Sequence, residues 1–182
     1  MSIMSSPAFR EIQYFRHTLV IGVVGLIALL SWSALVLQVV LGVPFGENPA
    51  PDLGIWANWV VFGIGLPAWF FSLRLETVVE DGTLRYRFFP LHPGWKVIPL
   101  EHVAGAVAVT YRPFREYGGW GIRFGRQGIA YTVSGDRGVL VRLRNGRSFL
   151  LGSKRPESLE IMLGRREREE RVTKMELRFK EI

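Results

Sequence analysis

Two long stretches without a single charged side chain constrain this chain more than any other feature. Residues 18–43 read TLVIGVVGLIALLSWSALVLQVVLGV and residues 53–73 read LGIWANWVVFGIGLPAWFFSL. A helix rises about 1.5 Å per residue, so about 20 residues cross the hydrocarbon core of a bilayer. Both stretches reach that length. Core helices of soluble proteins rarely run this far without a charge. The first stretch also exceeds a signal-peptide apolar region, and no small-residue cleavage site follows it. The expectation is two transmembrane helices, 18–43 and 53–73.

Between them Pro44–Asp52 (PFGENPAPD) carries three prolines and no positive charge. Proline-rich turn chemistry reverses the chain, giving an antiparallel hairpin. Trp56 and Trp59 at the loop end and Trp69 near the other end read as membrane-interface anchors, together with Arg16 and Arg74. Arg10, Arg16 and His17 precede the first span and Arg74 closes the second. By the positive-inside rule residues 1–17 form a cytoplasmic N-terminal tail, 44–52 an external loop, and both termini are cytoplasmic. Gly22, Gly25, Ala28, Gly63 and Gly65 permit close helix approach, Ser31, Ser33 and Gln38 can bond across helices, and Pro67 can kink the second span. They serve packing of the two spans on each other, or docking onto a larger membrane complex. With no ionisable residue in either span, an ion pathway is not expected.

From Arg74 onward short alternating runs are punctuated by Gly, Asp, Asn and Pro, the signature of an all-β sandwich or barrel. Leu75, Thr77 and Val79 alternate with Glu76 and Glu80, and Asp81-Gly82 is a hairpin signal. Leu84, Tyr86 and Phe88 alternate with Arg85 and Arg87. Further runs fall at Trp95–Pro99, Gly105–Arg112, Gly121–Phe124, Ile129–Val133, Gly138–Arg144 and Arg147–Leu151, with Asn145-Gly146 as a two-residue hairpin turn. Leu100–Val103 reads as a helical turn. Roughly seven strands follow, and Pro156 opens a helix whose Leu159, Met162 and Leu163 form an apolar stripe. The tail 164–182 is strongly charged, and its periodicity fits strand and helix alike.

Three words, Arg115–Arg123 (REYGGWGIR), Tyr131–Val139 (YTVSGDRGV) and Gly152–Leu159 (GSKRPESL), resemble a family of prokaryotic membrane-anchored proteins of unknown function with a pleckstrin-homology (PH)-like domain. The resemblance implies an α+β membrane protein: a transmembrane helical hairpin, then a PH-like seven-stranded β-sandwich or barrel over 74–163 capped by a C-terminal helix. It implies the prokaryotic cytoplasmic membrane as location and transfers no catalytic or ligand residue.

The residues carrying chemistry are few. Cysteine is absent, and His17, His92 and His102 are scattered, so neither metal nor other cofactor is expected. The cluster Gly118, Gly119 and Gly121 around Trp120 lacks phosphate-loop spacing; it reads as a bend with Trp120 plugging the core. No nucleophile elbow occurs, and Ser134 has no evident base. An enzyme is not expected. The formal charge of +7 is localised: Arg112, Arg115, Arg123, Arg126, Arg137, Arg142, Arg144, Arg147, Lys154 and Arg155 face only Glu116 and Asp136. Cations near an anionic leaflet gain about 1 kcal/mol each. These residues, Arg137 excepted, are the candidate lipid- or partner-binding set. The leading expectation is a non-catalytic membrane-anchored adaptor that binds a protein partner, or a second copy of itself, and anionic lipid headgroups. The alternative is an accessory subunit of a transporter or energy-converting assembly. Nucleic-acid binding has only the basic charge behind it and is not expected.

Overall fold

The computed structural model describes residues 9–44, 48–125 and 128–164. Its two compact units are Tyr14–Leu73 and a β-domain that draws on both flanks of that segment.

The uncharged stretches form helices, Thr18–Val40 and Asp52–Ser72. Leu19, Leu26, Leu29, Leu30, Val60, Val61 and Phe71 are each more than half exposed, so much of their apolar surface faces outward. Gln38, expected to bond across helices, donates from Nε2 to Ala50 O at 2.6 Å and to Asp52 Oδ1 at 3.1 Å. Pro67 accounts for the middle of the hairpin. It has no N–H, so the carbonyl of Gly63, four residues earlier, loses its α-helical donor. The helix takes a π-helical form at Trp59–Gly65, one way in which a backbone absorbs such a defect. Trp32 of the first helix supplies its indole N–H to Gly63 O at 3.3 Å. Trp59 lies edge-on to Trp32 at 5.1 Å and to Trp56 at 5.6 Å. Of the three expected anchors, Trp56 and Trp69 are exposed. Trp59 instead packs inside the hairpin with Ala34, Leu35 and Ile55, because Gly63 leaves room for its ring.

The β-domain holds two sheets. β1 (Phe9–Tyr14), β2 (Arg74–Glu80), β3 (Thr83–Phe89) and β4 (His92–Pro99) lie side by side in that order. The second sheet has β5 (Val103–Thr110), β6 (Gly121–Gly125), β7 (Gly128–Thr132), β8 (Arg137–Leu143) and β9 (Ser148–Gly152), in the order β5-β8-β9-β7-β6. β7 and β9 pair in parallel. Nine strands thus form among the described residues, against roughly seven expected. Residues 156–164 are helical, as Pro156 announced. The 164–182 tail lies outside the described residues beyond position 164, as does Arg126.

The consequential departure is β1, which falls in the segment read as a tail. Its inward residues after Phe9 are Glu11 and Gln13, both buried, so no apolar alternation betrays it. Both bond the last residue of β9 or the residues just after it, while Gln13 Oε1 is buried without a partner. Gln13 Nε2 donates to Gly152 O at 2.8 Å. Glu11 accepts from Ser153 Oγ at 2.6 Å and from the Lys154 amide at 2.8 Å. Arg155 donates to Arg10 O and lies over the Phe9 ring. The 74–163 domain is therefore completed by a strand from before the hairpin.

Alternation elsewhere works as read. Leu75, Thr77 and Val79 of β2 register with Phe88, Tyr86 and Leu84 of β3 and face the second sheet, where Tyr86 lies 5.3 Å from Phe149 and 5.0 Å from Tyr131. Leu159 and Leu163 of the C-terminal helix are buried too. Asp81 and Gly82 both take positive φ, the requirement of a tight hairpin turn. Asn145-Gly146 differs. Gly146 N bonds Leu143 O and Leu143 N bonds Arg147 O, making a three-residue loop with Gly146 at positive φ. A short helix, Pro113–Tyr117, escaped the sequence reading and ends at Gly118 in the left-handed region. It brings Tyr117 against Tyr111, Ala130, Leu140 and Leu150 on the second sheet's other face. Trp120 does not plug the core; its indole donates to Gly135 O at 2.7 Å while the ring meets Phe114.

Pro67 and Trp32 form a testable pair. In unfolding titrations in mixed detergent micelles, Trp32→Phe should cost the hairpin about 0.5–1.5 kcal/mol. In a Pro67→Ala background Gly63 regains its own donor and the same change should cost little. Equal losses in both backgrounds would contradict the assignment.

Candidate functional site

Two surfaces of the β-domain carry unusual side-chain chemistry. The first is the outer face of the four-stranded sheet, where alternation sends Arg74, Glu76, Arg85 and Arg87 away from the core. Register sets Glu76 opposite Arg87 and Arg74 opposite Phe89. Glu76 Oε1 lies 2.6 Å from Arg74 Nε, and both its oxygens accept from Arg87 at 2.9–3.0 Å. The Arg74 guanidinium lies 4.7 Å above the Phe89 ring and that of Arg87 4.5 Å above Trp95. Burial alone would raise the Glu76 pKa, but the hydrogen bonds and charges of Arg74 and Arg87 outweigh it and hold the carboxyl below its ordinary value. Arg74, expected as a membrane anchor, is thus one half of an arginine clamp.

The neighbouring edge strand β4 turns Lys96 inward. Its Nζ donates to Tyr131 Oη at 2.5 Å and lies 4.8 Å over that ring. Burial and the adjacent Tyr131 push the Tyr86 hydroxyl well above its usual pKa. Sequence reasoning missed this group, although a lysine between Pro93 and Pro99 in an apolar run is a sign of a protected edge strand.

The second surface is the expected basic set, and it does not form one face. Thr110 registers with Arg137, and the Tyr111 amide bonds Asp136 O, so Arg112 and Arg115 belong to the start of β8. Arg142, Arg144 and Arg147 belong to its other end. Some members have local partners: Arg137 pairs with Glu157, Arg123 Nε donates to Trp120 O, and Lys154 and Arg155 help to fasten β1. Arg142, Arg144 and Arg147 are exposed around the three-residue loop. The Arg144 amide bonds His102 O, and the Leu100 amide bonds Gly82 O. The basic loop therefore lies by the β2–β3 turn, beside a cleft of about 430 Å³ lined by Val97, Ile98, Pro99, His102, Leu143, Arg144 and Asn145.

Tyr111, behind the short helix, is pushed up to about 12, first by burial and then by Asp136 and Tyr117. Among the described residues no three His, Cys, Asp or Glu side chains converge to hold a metal ion. In the apolar unit Arg16 lies 5.4 Å over the Tyr14 ring.

Residues 4–163 match the profile of a family described as a family of unknown function, DUF6141. The matched stretch takes in β1, both apolar helices and every strand through the C-terminal helix. No curated protein and no solved structure matches the chain.

The Glu76 clamp sets an acid limit. Because its folded pKa lies below the unfolded value, its contribution is fully present above about pH 4.5 and is lost as pH falls through the depressed pKa. Glu76→Gln should be less stable at neutral pH, by thermal unfolding, and should lose part of the wild-type decline in acid. An unchanged acid profile in the variant would contradict the clamp.

Proposed function

We propose that this chain, which belongs to the DUF6141 family, is an integral membrane protein whose PH-like β-domain is a non-catalytic adaptor for a protein partner with an acidic surface. The two apolar helices span the bilayer, and both termini lie on the cytoplasmic side of a prokaryotic membrane. Outward apolar side chains on both helices support the span reading, since a patch this large is not sustained in water. For the PH-like reading, β1–β4 followed by β5, β8 and β9 and a C-terminal helix supply seven strands and a cap. β6 and β7 are then an added hairpin.

The observation that carries the adaptor reading is where the basic loop sits. β2 starts at Arg74, where the chain leaves the hairpin, and ends at the turn beside Arg144. Its seven residues span about 20 Å. Arg142, Arg144 and Arg147 thus form an exposed basic group at the far end of β2 from Arg74, beside the cleft. An acidic protein surface can meet all three, with Val97, Ile98 and Pro99 of the cleft as an apolar floor. Anionic lipid headgroups are met by cations near Arg74, where the chain leaves the hairpin.

A second reading, the accessory subunit of a larger integral complex, is favoured by a groove of about 360 Å³ along the hairpin. Ile27, Leu30, Ala34 and Phe62 line it together with the polar Ser31 and Asn58, which suits a further helix.

Extraction in mild detergent separates the two. For the adaptor, wild type should co-migrate stoichiometrically with a partner that Arg142→Glu/Arg147→Glu and raised salt both release. Co-migration with a polytopic protein that survives both treatments would favour the subunit. A wild-type chain that migrates alone under all conditions would overturn both.

A further inference from the structure

The β3–β4 turn, Pro90-Leu91, and the strand residues beside it, Phe89 and His92–Trp95, carry apolar side chains where a soluble domain normally places polar ones. Leu91 is 52% exposed and Trp95 40%. Two guanidinium groups lie against its aromatic rings, Arg74 on Phe89 and Arg87 on Trp95. Glu76, the carboxylate nearest this turn on β2, is already committed to both arginines, and Glu80 lies at the other end of the strand. No acidic residue occurs between Asp81 and Glu101, whereas Arg85, Arg87, His92 and Lys96 do. Apolar tip, aromatic flank and cationic surround are the composition of a segment that rests in a membrane interface.

Chain connectivity fixes where that composition lies. One residue, Leu73, separates the end of the second apolar helix from Arg74. Arg74 pairs with Phe89 as the last register of the β2–β3 ladder. Leu91 is two residues further on, in the turn that projects past this pair. With cross-strand Cα spacing of about 5 Å and about 3.8 Å per residue, its Cα lies within about 13 Å of that of Arg74. The headgroup region on each side of the hydrocarbon core is several ångströms deep, so a bilayer that holds the helix to Ser72 is within reach of the Leu91 side chain.

We infer that the β3–β4 turn is a lipid-contacting edge of the β-domain: Leu91 enters the membrane interface, Trp95 lies at headgroup level, and Arg74 and Arg87 meet anionic headgroups. The inference rests on the membrane reading of the apolar helices.

The chain contains no cysteine, so single reporters can be placed in the full-length protein. Leu91→Cys, Leu29→Cys in the first helix and Asn145→Cys at the distal loop would each carry an environment-sensitive fluorophore. The protein is reconstituted in phosphatidylcholine–phosphatidylglycerol vesicles containing a spin-labelled lipid quencher. The expected result is blue-shifted, quenched emission at positions 29 and 91, and water-like, unquenched emission at 145. Quenching at 29 with position 91 as water-like as 145 would overturn the inference and leave the membrane reading standing. Loss of quenching at 29 as well would overturn both.

Discussion

The Glu11 carboxylate joins the two ends of the β-domain, and the arrangement of everything else depends on that closure. It takes one hydrogen bond from Ser153 and one from the Lys154 amide, across more than a hundred residues of chain. Beside it Gln13 reaches Gly152. Bonds to a charged group are worth more than neutral ones, about 1.5–3 kcal/mol each. They set β1 beside β2 although the whole apolar unit, Tyr14–Leu73, intervenes. Loop-closure entropy grows only as the logarithm of length, with about 0.6 kcal/mol per doubling. The hairpin lowers even that cost, because it returns to its starting point: the Phe15 amide bonds Leu73 O at 2.9 Å, and the Phe15 and Phe70 rings meet at 5.7 Å. The insertion delivers β1 and β2 already side by side.

Closure gives the GSKRPESL word a physical meaning. Gly152 and Ser153 receive β1. Ser153 Oγ also accepts from the Arg155 amide, which starts the turn into the C-terminal helix. Arg155 covers Phe9. One of the three words behind the family resemblance is thus a structural latch. The family profile match, residues 4–163, takes in β1 as well as this word. The second sheet is equally committed. Val139 and Val141 face one core of β8 and Leu140 faces another. Gly128 and Gly138 sit where any Cβ would strike the backbone of β9. What remains available for recognition is turns, edges and the outer face of the first sheet.

Features that depend on local chemistry were legible in the sequence. Uncharged runs gave helices, Asp81-Gly82 gave a tight turn and Pro156 opened a helix; of the polar residues expected to bond across helices, Gln38 does so, whereas Ser33 bonds Leu29 O in its own helix. Features that depend on distant partners were not. β1 hides because Glu11 and Gln13 look solvated until Gly152–Lys154 is brought to them. Glu76 and Glu80 look alike in sequence; only cross-strand register puts Arg87 against the first. Ten cations within residues 112–155 suggested one basic face, yet β8 carries its charges at opposite ends and several of them fasten backbone or meet Glu157. The arginine–aromatic turn of β3–β4 went unread because its charge is modest and its apolar residues resemble an ordinary strand.

The claim on which the rest stands is that the β-domain is discontinuous, completed by β1 from before the apolar hairpin. Two polypeptides test it most directly: residues 74–163 alone, and the same residues preceded by 9–14 through a short Gly-Ser linker. Thermal unfolding followed by near-ultraviolet circular dichroism should show a cooperative transition for the linked chain and none for 74–163. Adding Glu11→Ala to the linked chain should lower its transition temperature. A cooperative transition in 74–163 alone, at the same temperature as the linked chain, would contradict the claim.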